Sequence, residues 1–443
     1  MPIALPPTTP VASTTLPQWF RARVTTSTGG SVDVSKFLKS LSITRGRTSA
    51  AESSISAATC FCTFDDTAGT FDPDNSLSPL AGMLTVGPTS TTTFRLDHYV
   101  NALAAYKPLF TGPFESLERT FTGGLSSETA ATFVDSTPEV SRHVPPAGTV
   151  LPVELPGARI TRLLGTASRS GVTWTSRALT APTALDTGQK MLAAYICDGT
   201  TSSWRIAEGA AQAEGGLLFF DAAGVLTFRG QARRLIQNPV WTFSDAPADS
   251  IRYETDLKFR LSTDNIIDDA AVTTADGITS YFGPSGAFSD NGASKTGANP
   301  FKDKVNAVTV DLTETSQLTG RIVGASRARY LYQSRMPPRR HAPTLTLNPA
   351  SMVGRWVDSG GRATAYQAAV SVLVDDLARV IRTPAGGGTT ISQLCWVEGF
   401  QMQATSPDMW TVSLNVSRAD PLPPLGFWQL GVSQLGRNTT LTW

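Results

Sequence analysis

Three histidines, His98, His143 and His341, are the natural starting point for any catalytic chemistry in this chain. They stand far apart, and none lies in an H-E-x-x-H or H-x-E frame, so their spacing supplies no metal pair. No G-x-S-x-G elbow places a serine beside them, so a Ser–His–Asp relay has no sequence signature. Neither phosphate-cradling glycine motif occurs, and Gly386 to Gly388 reads as a loop between strand-like runs. Carboxylates gather twice. Asp65, Asp66, Asp72 and Asp74 fall within one short run, but a calcium loop counted from Asp65 would need oxygen ligands where Thr67 and Gly69 stand. Side chains capping the backbone of Asx turns account for them better. Asp264, Asp268 and Asp269 have the chemistry of a glycosidase carboxylate pair, yet they flank a strand-like run and read as structural.

The cysteines Cys60, Cys62, Cys197 and Cys395 include no C-x-x-C pair and no neighbouring histidine, so they read as small buried hydrophobes rather than zinc ligands or a disulfide framework. Arg335, Arg339 and Arg340 bracket Pro337-Pro338; such a basic loop can touch DNA, but reads first as a solvated or interface face. Trp356, Trp396, Trp410, Trp428 and Trp443 concentrate near the end of the chain. Their strand positions favour core or interface burial over a sugar-stacking platform. No catalytic, cofactor-binding or metal-binding residue is assigned.

The elements that would carry these residues are mostly strands. Leu41 to Arg47 and Ala58 to Phe64 alternate apolar and polar residues, and Asp65 to Gly69 breaks the pattern as a turn. Phe71 to Pro79 suits a surface crossing. Leu84 to Gly87, Thr93 to Leu96 and Leu109 to Gly112 add short strands, giving the density expected of a small barrel or sandwich. Trp19 to Val24 reads as an earlier strand, and Val32 to Leu38 as a strand or helical turn. Ser116 to Pro156 reads as an irregular connector with one or two strands. Helical spacing then appears at Ile160, Leu163 and Leu164, at Gly188 to Tyr195, and from Trp204 onward. Glu214 to Arg229 reads as a hairpin turning at Asp221 to Gly224. Ile251 to Leu261 alternates as a half-buried strand, and Leu318 to Ser334 has helical spacing. In the last part, Val370 to Ile381 alternates in part, and Trp396 to Phe400 begins a strand whose partner is Trp410 to Ser417.

The whole has 443 residues, 41% hydrophobic but only 16% charged, with a net charge of +1. Such low charge suits a β-rich surface that is covered by subunits, and the balance points to neither a nucleic-acid clamp nor an anionic membrane. Residues 1–17 are rich in Pro and Thr, lack the basic and apolar regions of a signal peptide, and read as an extended arm. No apolar run approaches the length of a membrane span.

Several of these segments carry a resemblance. Thr44-Arg45-Gly46-Arg47, the Asp-rich turn, Phe71-Asp-Pro-Asp-Asn-Ser-Leu-Ser-Pro-Leu-Ala-Gly82 and Leu109-Phe-Thr-Gly112 resemble the opening of minor tail proteins of actinobacterial siphophages, which are similar to baseplate (tail) hub proteins. In the middle, Glu214, Gly215, Gly216, Phe219, Phe220, Asp221, Gly224 and Arg229 match a recurring hub segment. Asp264 to Thr273 resembles another, with Asp268 where an Asn is usual, and Phe427 to Leu441 resembles the closing segment. The resemblance implies a mainly β (α+β) protein with two small β-barrel, tail-tube-like domains, here 18–115 and 351–443, and a middle α/β region, 116–350. That region comprises a helix–hairpin unit (158–235) and a strand-rich segment (245–350). It implies a non-enzymatic homotrimer at the tail tip of the virion, assembled in the host cytoplasm. Its partners would be the distal tail protein, the tape measure protein, and tail fibre or tip proteins, with transient contact to genomic DNA. The readings set beside it are a hexameric distal tail protein, a cell-wall hydrolase and a glycan-binding module.

Overall fold

The computed structural model describes residues 20–26, 30–47, 54–84, 92–122, 126–165, 168–169, 172–173, 183–236, 238–245, 251–253, 257–259, 269–274, 277, 279–282, 288–289, 305–310, 324, 327–329, 331–332, 342–349, 357, 363–384, 386, 388–406 and 409–419. The chain opens with β1 (Phe20–Thr26), β2 (Ser31–Asp33), β3 (Leu38–Gly46), β4 (Ser56–Asp65), β5 (Thr92–Val100), β6 (Ala105–Thr122) and β7 (Ser126–Val134). Alternation builds them: in β4, Ala58, Cys60, Cys62 and Phe64 are buried while Thr59 and Phe61 face out.

The middle follows with α1 (Thr137–Ser141), β8 (Val150–Leu151), α2 (Pro156–Ile160) prolonged by a π turn over Thr161–Gly165, β9 (Ser168–Arg169), β10 (Val172–Thr173), β11 (Thr183–Leu185) and β12 (Tyr195–Ile196). Then come α3 (Ser203–Glu214), β13 (Leu217–Phe220), β14 (Leu226–Arg229), α4 (Gln231–Ile236), β15 (Trp241–Ser244), β16 (Ile251–Arg252), β17 (Asp269–Thr274), β18 (Thr279–Phe282), β19 (Phe288–Ser289) and β20 (Val305–Val310). The last part is β21 (Thr344–Leu347), α5 (Ala365–Ser371), β22 (Leu377–Arg382), β23 (Ile391–Ser406) and β24 (Met409–Arg418).

The molecule is mainly β, as the sequence suggests, but no barrel closes among the described residues. A single 13-stranded sheet runs β16-β15-β22-β23-β3-β4-β7-β6-β5-β1-β2, with β24 and β21 branching from β23. The first and last parts of the chain therefore share one sheet through β3 and β23, and one core in which Phe20, Phe64 and Phe133 join Met402, Trp410 and Leu414. The open edge of β3 finds its partner within the same chain, which satisfies its backbone groups without closure.

Two long strands bend the sheet. β6 pairs with β5 through Pro113 and with β7 from Phe114 onward, with register shifts at Leu96/Asp97 and at Phe114/Ser116. β23 pairs with β22 up to Trp396 and with β3 from Gly399, with a shift between Val397 and Gly399. Each extra residue kinks the strand and redirects it to a second neighbour. The bend at β6 folds β5 over β4 and β7, so that Phe94 stacks on Phe133 with centroids 3.8 Å apart.

The expected first boundary at Glu115 falls on this kink rather than at an end: β6 continues to Thr122, and β7 returns to pair with β4. The one or two strands expected between Ser116 and Pro156 are the second half of β6 and β7, with Ser116 and Thr120 exposed and Ser127 and Thr129 buried. Residues 188–195 are not helical; Gly188 is left-handed at φ 81, and Leu192 bridges Glu154. Part of 370–381 is the helix α5, because the Thr364 side chain caps it by accepting from the Gln367 N–H. Of the Leu84 to Gly87 run only Leu84 is among the described residues, and only Ile251–Arg252 of the 251–261 run is strand among the described residues.

A second core holds the middle together, with Trp204, Ile206 and Ala210 of α3 against Leu218, Phe220 and Phe228 of the hairpin. Every residue of β13 is buried. Leu218 and Phe220 face that core, while Leu217 and Phe219 pack on Ile55 and Val374 of the large sheet's side.

Candidate functional site

The residues first considered for catalysis do not converge. His98 lies in the core between Phe20 and Trp410, with its Nδ1 3.4 Å from the Tyr366 hydroxyl. Burial pushes its imidazole down to about 3, so it is neutral. His143 does meet a serine, with Nδ1 2.9 Å from Ser203 Oγ, a contact that no spacing in the sequence signals. Ser203 is wholly buried at the start of α3, and its N–H donates to the His143 carbonyl, so no substrate can reach the hydroxyl.

The Asp65–Asp74 run behaves as Asx turns. Asp65 accepts from the Thr67 N–H, and Asp72 from the Asp74 N–H. Asp66 is fully buried, accepts from the Phe71 N–H and the Thr129 hydroxyl, and pairs with Arg119. Phe71, held by these turns, stacks on Phe64 with centroids 4.3 Å apart and closes one end of the core. The four cysteines form no disulfide and are buried, with Cys60 and Cys62 sulfurs 3.6 Å apart. Trp396 and Trp410 are buried, and Gly386 takes a turn conformation at φ 88. Asp264, Asp268, His341, Arg335, Arg339, Arg340, Trp356, Trp428, Trp443, the Asp269 side chain and the closing segment lie outside the described residues.

What the fold does assemble is a junction of charges at the kink of β23. Glu398 is the displaced residue there, with no exposed surface. Arg47, from the end of β3, donates to Glu398 Oε2 at 2.7 Å. Arg234, on α4, reaches Glu398 Oε2 at 3.3 Å and Asp375 Oδ1 at 2.5 Å. The Ser417 hydroxyl of β24 donates to Oε1 at 2.5 Å, and the Arg234 guanidinium lies 5.1 Å from the Trp396 ring centroid. Burial opposes ionisation of Glu398, but Arg234 and Arg47 outweigh it and hold the carboxyl at about 2.

The backbone there needs two glycines. Gly46 has φ +89, and a Cβ on it would strike the Glu398 carbonyl, while one on Gly399 would strike the Arg47 carbonyl. Arg45, next to Gly46 and buried, donates to the Leu109 carbonyl at 2.7 Å. The Thr44-Arg-Gly-Arg47 motif thus locks the first part of the chain to the last. Its partners Arg234, Asp375 and Glu398 went unnoticed in the sequence; the one available signal was a charged residue inside the apolar run Trp396 to Phe400.

The second motif is equally architectural. Glu214 ends α3 buried, and its carboxylate accepts from the N–H groups of Gln189 and Lys190. Gly215 caps the helix at φ 83. Asp221 accepts from the N–H groups of Ala223 and Val225, and Gly224 turns the hairpin at φ 79. The turn docks on β6, where Thr111 Oγ1 donates to the Ala222 carbonyl.

No protein-family model matches the chain, and no curated protein matches it in sequence. Solved structures do share its fold. A tail protein from Neisseria meningitidis MC58 superposes with a TM-score of 0.54 over 90% of this chain and 96% of that one, at 13% identity. The 43 kDa tail protein of prophage MuSo2 from Shewanella oneidensis gives a TM-score of 0.54 over 91% of this chain and 99% of its own, at 10% identity. Both likenesses run nearly end to end and concern the fold.

Proposed function

We propose that this chain is a structural, non-enzymatic subunit of a phage tail tip, the baseplate hub. It forms a homotrimeric ring that continues the tail tube, joins the distal tail protein to fibre or tip proteins, surrounds the tape measure protein, and lets the genome pass. The observation that carries this reading is the near end-to-end likeness in fold to two tail proteins. The residues add support of their own. Chemistry-bearing side chains are spent on holding strands together, as at Glu398 and Asp66, and none of the described histidines meets a reachable nucleophile. Among the described residues no helix is long and apolar enough to cross a membrane.

Native mass measurement of the purified full chain tests the reading. Three copies support the hub; six copies would assign a distal tail ring instead. Release of reducing sugars or free amines from purified cell walls would replace a structural role with a hydrolytic one.

A further inference from the structure

The charges of the first β module are segregated onto its two outer faces. Strands β1 and β5 lie on one side of the core and β4 and β7 on the other, with Phe94 stacked on Phe133 between them. Val24 and Phe94 point inward, so Arg23 and Arg95, one residue removed, point outward. Phe64 and Phe133 point inward from the other side, so Asp65 and Glu128 point outward in the opposite direction.

Each outer face sets like charges directly across from each other. Arg23 is in register with Arg95 on one side. Asp65 is in register with Glu128 on the other. Directly opposed like charges destabilise a sheet, and in neither case do local partners balance them fully. On the basic face the guanidiniums of Arg21, Arg23 and Arg95 all converge on Asp97, at 3.1, 3.0 and 2.7 Å, and that carboxylate is wholly buried beneath them. Asp33 stands at the rim opposite Arg23, with one carboxylate oxygen accepting from the Ser35 N–H. Arg21 is fixed further by lying 3.5 Å from the Tyr106 ring centroid. The three arginine side chains stay 23%, 30% and 39% exposed, with the middle hairpin stopping beside them at Thr111. On the acidic face Lys39 pairs with Glu128 and acts electrostatically on Asp65, and Glu118, opposite Ala130 on the same face, is exposed.

We infer that the basic face of one copy docks on the acidic face of the next, head to tail. The inference rests on the ring reading above and names its contact. The partner is a second copy because the chain carries both halves of the complementarity, in a total charge of only +1. Two different patches on opposite sides of one module make a heterologous contact, the kind that closes into a ring when the rotation fits. Opposed potentials also fix orientation and discourage face-to-face pairing of identical patches.

Charge reversal in the full chain tests this. R95E reverses the most exposed guanidinium and leaves Arg21 and Arg23 on Asp97; E118K/E128K reverses the acidic face. Native mass at low salt should show each variant at least tenfold weaker in self-association than the parent. R95E/E118K/E128K in one chain should recover the parental oligomer, and the parental oligomer should loosen as salt rises. Folding of each variant is checked by its melting curve, and Arg95→Gln replaces R95E if the reversal unfolds the module. Variants that fold and keep the parental mass overturn the inference while leaving a ring intact, as does a folded triple variant that stays dissociated. A parent that is monomeric at every salt and concentration overturns the ring reading itself.

Discussion

The guanidinium of Arg47 donates to Glu398 across 351 residues of sequence, in the interior of a sheet that both ends of the chain build. The contact sits where β23 leaves β22 and takes up β3, and Arg234 brings the middle of the chain to the same carboxylate. Glu398→Ala should therefore act on all three parts at once. Removing one partner of a buried ion network typically costs about 3–5 kcal/mol, because the remaining charges stay desolvated. Urea unfolding should show a loss of that size, and Glu398→Gln, which keeps the shape and some hydrogen bonds, a smaller one.

The same carboxylate sets an acid limit. Its folded value is about 2, below the ordinary 4.5, so the unfolded chain takes up its proton first. Its stabilising contribution is complete above about 4.5 and disappears as pH falls towards 2. The acid arm of the stability curve should be shallower in Glu398→Gln across that window, as measured by urea midpoints from pH 5 to pH 2.

His98 acts higher in the scale. Burial holds it neutral down to about 3, against an ordinary 6.5, so the unfolded chain binds its proton earlier as pH falls. Stability should decline from pH 6.5 downward, by up to about 1.4 kcal/mol for each pH step spent between the two values. His98→Phe keeps an aromatic ring beside Phe20 and Trp410 and leaves Tyr366 its bond to the Tyr99 carbonyl. The variant should lose this slope between pH 6.5 and pH 4 while the parent keeps it.

Gly46→Ala tests the backbone of the junction. The new methyl would meet the Glu398 carbonyl, and φ +89 is strained for any residue with a Cβ. Such strain costs on the order of 1–3 kcal/mol before the collision is counted. Thermal melting should fall accordingly, and a change elsewhere in the same strand, such as Thr44→Ala on the exposed face, should leave it within about 0.5 kcal/mol.

How far the fold was readable follows from which forces are local. Alternation in β3 and β4, the Asp65 turn, the Asp221 hairpin and the β23–β24 pairing were legible because each depends on neighbours in sequence. The same local logic missed the continuity of β6, which runs through Glu115 to Thr122 where a boundary was expected, with Phe114 opposite Phe133 and Leu117 opposite Ala131 of β7. The joining of β3 to β23 left no local trace, since one edge of a strand carries no mark of which distant strand it will meet. The candidate site was less legible still. Glu398 gains its meaning only from Arg47 and Arg234, and Ser203 from His143. The outward charges of β1, β5, β4 and β7 were visible as residues, but not as opposite faces until the bend at β6 was known.

Two adjacent phenylalanines separate the stability of the middle unit from its docking. In β13, Phe220 stacks on Trp204 of α3 with centroids 5.8 Å apart, inside the middle core. Phe219 points the other way and packs with Leu217 on Ile55 and Val374, a much smaller apolar contact. Phe220→Ala should cost about 3–5 kcal/mol, the usual range for emptying a buried aromatic site, and amide exchange should rise throughout α3 and the hairpin. Phe219→Ala removes the apolar part of the seam while Arg234 still holds Asp375 and Glu398. Exchange should then rise around Ile55 and Val374 and at the β6 backbone by Thr111, with α3 protected as before. Equal loss of protection in α3 from both variants would show that the middle unit has no stability apart from the sheet it rests on.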